Sequence, residues 1–420
     1  MEQASKEYYR MIDKWIIELI RKGISEFNDI ILSLPGVYPK DALNSIARLS
    51  TIGKIPKLVL DKANAYIRQP IEPRLNKTTL QTLPVPHPLD YSWRFSRNSV
   101  NYILEICEEL KSSKDKIILL GAPTILLYLK DNFSEEDFVL IDSDPLLTRK
   151  ITTLRPKARI LCHNLSIDNC FSTQGDIIIV DSPWYPEYMY SFLCITSKII
   201  NNGGIVLLSF PAEGTRPNIK QEWDKTLNWA NNLGLNLVDI KKSELSYISP
   251  PFERNALSAV GIKNVPIEWR KSNLVIFRSS RKNVISDYRV PEHRNNWCEQ
   301  IIGGVRIRVR VGSETKFTDP SLNSLVTGDI LPSVSRRDPR RRNVDIWTSG
   351  NRVFSCKGKS TLLNILKSIV QEQPPCQAIE KYFKSKLNYK EKAIIEATKN
   401  RIMKIVQIER IDISKYYQEQ

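Results

Sequence analysis

Seven short apolar runs, spaced by stretches of helical periodicity, punctuate the middle of the chain at residues 116–120, 137–141, 158–162, 176–180, 204–210, 236–240 and 273–277. Runs such as Ile177-Ile178-Ile179-Val180 show no polar alternation, so both faces of each strand must be buried. Strands buried on both faces and alternating with helices predict an α/β fold with an open, Rossmann-like seven-stranded sheet, whose ligands sit beyond the carboxyl ends of the strands. The residues that follow each run are therefore the ones to inspect for chemistry.

The first run leads into Gly121-Ala122-Pro123-Thr124, and the second ends in Asp142 about twenty residues later. A small-residue turn after one strand admits a nucleoside, while an acid at the tip of the next accepts hydrogen bonds from ribose hydroxyls. The turn has no Lys and no GxGxxG, so it suits a nucleoside ligand without phosphates to cradle. Cys162-His163-Asn164 follows the third run and places Asn164 as a further cofactor contact. The fourth run ends in Asp181-Ser182-Pro183-Trp184-Tyr185. An amine becomes nucleophilic when acceptors draw on its protons. The Asp181 carboxylate and the Ser182 carbonyl supply them, and Trp184 offers a stacking face for the substrate. The segments 162–164 and 247–254 are candidate walls of the same pocket.

Asp181-Ser182-Pro183-Trp184 resembles the Asp-Pro-Pro-Tyr/Trp motif of amino-group methyltransferases, with Ser182 in place of the first proline. Together with Gly121 to Thr124, residues 116–216 resemble the N6-adenine-methyltransferase-like family that includes elongation-factor lysine methyltransferases. The layout is also similar to branched-chain polyamine synthases, which use this fold for aminopropyl transfer. The resemblance implies S-adenosylmethionine as cofactor, held by Gly121, Ala122, Pro123, Thr124, Asp142 and Asn164, and a catalytic segment of Asp181, Ser182, Pro183, Trp184 and Tyr185. It leaves residues after 283 unexplained.

Flanking segments have other characters. Residues 1–70 predict three or four short helices in a helix-turn-helix or winged-helix pattern, the third presenting Lys40, Asn44, Ser45 and Arg48. Residues 71–95 are proline-rich, with Pro84-Val85-Pro86-His87-Pro88, and read as an extended linker before a domain spanning 96–283. Residues 284–420 predict a basic α+β domain: residues 265–420 hold 30 Lys/Arg against 16 Asp/Glu, most of the chain's net charge of +16. In Val305-Arg306-Ile307-Arg308-Val309-Arg310 strict alternation predicts a row of guanidiniums on one strand face. Arg336, Arg337, Arg340, Arg341 and Arg342 predict an exposed loop, and both sets are expected to meet nucleic-acid phosphates. Gly358-Lys359-Ser360-Thr361 lacks the earlier glycine of a phosphate loop, since Val353 stands there.

Seven cysteines in no CxxC pair and three scattered histidines predict neither a disulfide framework nor a metal site. The absence of a long apolar run predicts no membrane span, and an N-terminus without a signal pattern predicts a cytoplasmic protein. Three functions fit. They are adenine-N6 methylation of DNA or RNA, lysine methylation of a protein partner docked through either terminal domain, and a non-catalytic nucleic-acid scaffold. Polyamine transfer ranks below them, because a chain this basic repels a cationic substrate.

Overall fold

The computed structural model describes residues 2–69, 82–112, 115–165, 173–280, 288, 290 and 297–416. Residues 71–81 of the expected linker, and the boundary expected at 283, lie outside the described residues. The chain divides into two compact units that interleave along the sequence. One comprises Met1–Gln69, Trp93–Ser249 and Asn264–Pro291; the other comprises Pro70–Ser92, Pro250–Lys263 and Glu292–Gln420.

The first unit opens with four helices, α1 (Glu2–Arg21), α2 (Phe27–Ser33), α3 (Pro39–Thr51) and α4 (Lys57–Arg68). It continues as β1 (Arg94–Phe95), α5 (Arg97–Leu110), β2 (Ile117–Leu120), α6 (Thr124–Leu127), β3 (Phe138–Asp142), α7 (Pro145–Leu154), β4 (Arg159–Cys162), β5 (Gly175–Val180), α8 (Pro186–Ile199), β6 (Ile200–Pro211), α9 (Ile219–Asn232), β7 (Leu235–Ile248) and β8 (Arg270–Ser279). All seven expected strands are present, but the sheet has eight. Its order is β1-β7-β8-β6-β5-β2-β3-β4, and the extra strand is the two-residue β1, antiparallel to β7. Two residues carry no periodicity, which is why the sequence does not announce them.

Strands β2 to β6 run parallel, and β8 lies antiparallel to both β6 and β7. The chain proceeds from β2 outward to β3 and β4, then returns to pair β5 on the other side of β2. That reversal opens a crevice above the ends of β2 and β5. Ile118, Leu120, Ile178 and Val180 pack in one cluster with Phe192, Leu193 and Ile195 of α8. Burying each such side chain contributes about 1.5–3 kcal/mol, so the strand ends that frame the crevice are held rigidly.

The N-terminal helices pack onto this sheet. The Tyr8 hydroxyl donates to the Gly214 carbonyl at 2.9 Å, and the Gly214 N–H donates to Pro35 O at 2.9 Å. A Cβ at Gly214 would lie 2.5 Å from the Val37 side chain, so this contact requires glycine. Of the α3 residues expected to face nucleic acid, Ser45 is buried, and Arg48 bonds Asp13 at 2.5 Å and lies over the Tyr9 ring.

The second unit holds a sheet of order β11-β13-β12-β10-β9, from β9 (Trp297–Ile302), β10 (Val305–Arg310), β11 (Asn323–Ser324), β12 (Ile346–Thr348) and β13 (Val353–Ser355). Its helices are α10 (Pro251–Ala259), α11 (Lys359–Val370), α12 (Pro375–Phe383) and α13 (Tyr389–Tyr416). A hairpin through Ser349-Gly350-Asn351 joins β12 to β13, and the Glu409 carboxylate of α13 accepts from Gly350 N at 2.9 Å. The Glu314 carboxylate caps the start of α11, accepting from Lys359 N at 2.8 Å and Ser360 N at 3.2 Å, so a protein carboxylate fills that helix terminus.

The strict alternation of β10 is misleading. Val305, Ile307 and Val309 enter the core as expected, but Arg306, Arg308 and Arg310 do not form a solvent-facing row. Arg306 is only 3% exposed and pairs with Glu299 at 2.9 Å and Asp90 at 3.0 Å. Arg308 shares both acids, at 2.8 and 2.6 Å, and Arg310 lies over Trp297 while donating to Val344 O at 2.6 Å. Residues 82–92, expected to be linker, instead cover this face. His87 is wholly buried there, bonding Trp347 O at 3.1 Å, and burial pushes its pKa well down. In the expected arginine loop Arg341 lies over Trp347 at 4.6 Å and Arg340 pairs with Asp338 at 2.5 Å, within a short 3-10 turn at Pro339–Asn343. Arg337, Arg340 and Arg342 are exposed, and Arg336 is half-buried.

Candidate active site at the ends of β2, β3 and β5

Gly121 closes β2 with φ +67°, a left-handed conformation that an L side chain adopts only with strain. Its N–H donates to Ile141 O at 3.0 Å, and Asp181 N donates to Leu120 O at 2.9 Å, so the tips of β3, β2 and β5 are laced together. A Cβ on Gly121 would meet Asp181 O at 2.7 Å. The two expected motifs therefore touch through backbone. Ala122, Pro123 and Thr124 are buried and begin the short α6.

At the tip of β3, Asp142 is largely buried and its Oδ1 accepts from Asp144 N at 2.9 Å, while its carbonyl accepts from His163 N at 3.0 Å. Asp144 caps α7 through Leu146 N and Leu147 N. The acid expected to meet ribose is thus held by its own loop. Asn164 is exposed, two residues past β4, so burial does not enclose it with the others. Replacing Asp142 by Ala should weaken S-adenosylmethionine by about 1–3 kcal/mol, the cost of lost charged hydrogen bonds. Calorimetry giving the parent affinity would remove Asp142 from the site.

Asp181 is part-buried, with its carboxyl turned inward. Its Oδ1 accepts from the Tyr247 hydroxyl at 2.6 Å. Burial pushes its pKa up to about 8 and the nearby Asp142 carboxylate adds to the rise, while the hydrogen bonds from Tyr247 and Ser209 oppose it. The Tyr247 hydroxyl also meets Ser209 Oγ, which reaches Ser272 Oγ at 3.1 Å. Hydroxyls from β7, β6 and β8 thus run in a chain to the Asp181 carboxyl. Tyr247 is fixed by stacking on Phe95, its partner in the β1–β7 pairing, with centroids 4.7 Å apart. Because that hydroxyl favours the ionised carboxyl, Tyr247→Phe should move the acid limb of the pH–rate profile to higher pH. An unmoved limb would mean that Asp181 is not the titrating group.

Ser182 Oγ is buried and has no hydrogen-bond partner among the described residues. A buried hydroxyl without a partner is a polar group that a ligand would satisfy. Pro183 O accepts from Tyr185 N at 2.7 Å, which forms the turn into α8. Trp184 stands edge-on to Tyr247 at 5.3 Å, and its carbonyl accepts from Arg216 at 2.5 Å. Arg216 also lies over the Tyr185 ring and pairs with Glu222. On its other side Trp184 adjoins the Arg270 guanidinium, which lies over Trp93 and Trp269 as well.

Of the two expected walls, 247–254 supplies Tyr247, whereas Pro250 onward belongs to the other unit, and 162–164 has Cys162 and Asn164 exposed; Trp93 and Phe95 come from a segment not expected to line the site. Ser209, Ser272 and Arg270 were missed. The available signal was a lone serine inside an otherwise apolar run, Leu208-Ser209-Phe210, whereas Ser272, between Lys271 and Asn273, carries none.

No protein-family model matches the chain, and no curated protein is similar to it. Among solved structures, the branched-chain polyamine synthase of Thermus thermophilus, in complex with N4-aminopropylspermidine and 5'-methylthioadenosine, superposes with a TM-score of 0.50. The match covers 69% of this chain and 95% of that one, at 10% identity. Its C9 mutein gives the same figures. The likeness is one of fold.

Proposed function

We propose that the first unit is an S-adenosylmethionine-dependent transferase acting on an amine, and that the amine is the exocyclic N6 of adenine in single-stranded DNA or RNA. The observation that carries the reading is the Gly121–Asp181 junction. It packs the glycine turn after β2 directly on the Asp181 backbone, so the turn expected to take the nucleoside and the residue that carries the buried carboxyl share one junction. Gly121, Asp142 and the loop after β3 would hold the cofactor, in keeping with the fold likeness to a protein crystallised with 5'-methylthioadenosine. When bound, the cofactor supplies an electrophilic methyl on a sulfonium. Asp181 and the Ser182 carbonyl would accept the N–H groups of the amine. Trp184 would offer the base a ring face, and Tyr247 holds the carboxyl still. Taking the base from single strands avoids the cost of unpairing a duplex.

On this reading the exposed Arg337 and Arg342 of the second unit would meet phosphates of the nucleic-acid partner. The test is incubation of the full chain with methyl-labelled S-adenosylmethionine and separate DNA, RNA and protein pools. Label recovered as N6-methyladenine is the expected result. Label in protein alone would overturn the acceptor assignment and favour lysine.

A further inference from the structure

The approach to β1, the motif after β5 and the start of β8 each contribute a tryptophan to one cage. Trp93, Trp269 and Trp184 lie 4.7, 4.9 and 5.5 Å from the central carbon of the Arg270 guanidinium. Tryptophan faces are the strongest aromatic seats for a cation, and cages of this kind select quaternary and methylated ammonium ligands. Here the seat is taken by the chain's own cation. Arg270 pairs directly across from Tyr247 in the β7–β8 register, and Trp184, which adjoins the guanidinium, stands edge-on to the Tyr247 ring whose hydroxyl donates to Asp181.

We propose that Arg270 determines the substrate class of the Asp181 site: by filling the tryptophan cage it excludes polycationic amines and admits an amine carried on an uncharged aromatic ring. The inference rests on the amine-transfer reading above. Two physical effects act together. The guanidinium occupies the volume between the rings, and its charge repels an ammonium in a partly desolvated pocket where screening is weak. A burial-neutralised Asp181 offers little compensating attraction to such an ammonium at neutral pH. A planar base brings no charge and needs no seat in the cage. The fold likeness to a protein that holds an aminopropylated spermidine therefore does not carry over to the substrate, because the chain's own arginine stands in the cage.

The experiment is an equilibrium titration of the full chain with spermidine, in the presence of S-adenosylhomocysteine, for the parent, Arg270→Gln and Arg270→Lys. Arg270→Gln should bind spermidine at least about tenfold more tightly than the parent, and Arg270→Lys, which keeps a cation, should behave as the parent. Trp184→Ala added to Arg270→Gln should remove the gain, placing the new binding at the cage. Equal spermidine affinity in the parent and Arg270→Gln would overturn the proposal, as would a gain that survives loss of Trp184. Arg270→Met, which keeps the apolar stem, serves as the second uncharged variant and should show the same gain. Binding of S-adenosylhomocysteine to the parent is measured in parallel. Its absence would sink the cofactor reading, while the spermidine comparison still decides the role of Arg270.

Discussion

Asp181→Ala and Asp181→Asn should each lower amine transfer by at least about 100-fold while leaving S-adenosylmethionine affinity within about threefold of the parent. The separation follows from placement. The carboxyl points to the Tyr247 side of the crevice, whereas the cofactor turn is built from Gly121 and Asp142. The asparagine variant should also be the more stable protein at neutral and alkaline pH. Burial lifts the folded pKa of Asp181 from 3.8 to about 8. Between those values the folded chain holds a proton that the unfolded chain has released. Stability therefore falls by about 1.4 kcal/mol per pH unit across that window. Asn cannot ionise, so the melting temperature of Asp181→Asn should exceed the parent's at pH 8 and approach it near pH 4. An Asp181→Asn protein with parental turnover would remove Asp181 from the chemistry.

Gly121→Ala should be the most damaging single methyl at the candidate site. The added Cβ carries two penalties, a left-handed φ costing about 1–2 kcal/mol and a 2.7 Å approach to a backbone oxygen that cannot rotate away. Relief requires the tips of β2 and β5 to part, which moves the cofactor turn and Asp181 together. Cofactor affinity should drop more than about tenfold, a loss of about 1.4 kcal/mol or more of binding energy, and the melting temperature should fall. Gly203→Ala is the control. It has φ +78° with open space around its Cβ, so it should show the strain in stability but leave binding intact. If both variants bind the cofactor as the parent does, the turn is only a structural corner.

The strands of the first sheet are legible because buried parallel strands are continuous apolar runs, and Gly121, Asp142 and Asp181 are legible because each sits where such a run stops. The hydroxyl chain through Tyr247, Ser209 and Ser272 is not, since its members lie far apart in sequence and meet only through the β7–β8–β6 pairing. Arg270 fails for the same reason: nothing local ties it to Trp93 or Trp184. Arg306, Arg308 and Arg310 mislead in the opposite sense. Alternation distinguishes the two faces of a strand, but it cannot tell a face open to water from one covered by residues 82–92 with Asp90 to neutralise it.

The account stands on an S-adenosyl cofactor held over the Gly121 turn. Calorimetric titration of the folded chain with S-adenosylhomocysteine, for the parent and Gly121→Ala, tests this most directly. The prediction is one site per parent chain and affinity reduced more than about tenfold in the variant. A parent chain that is folded but releases no heat of binding would contradict it.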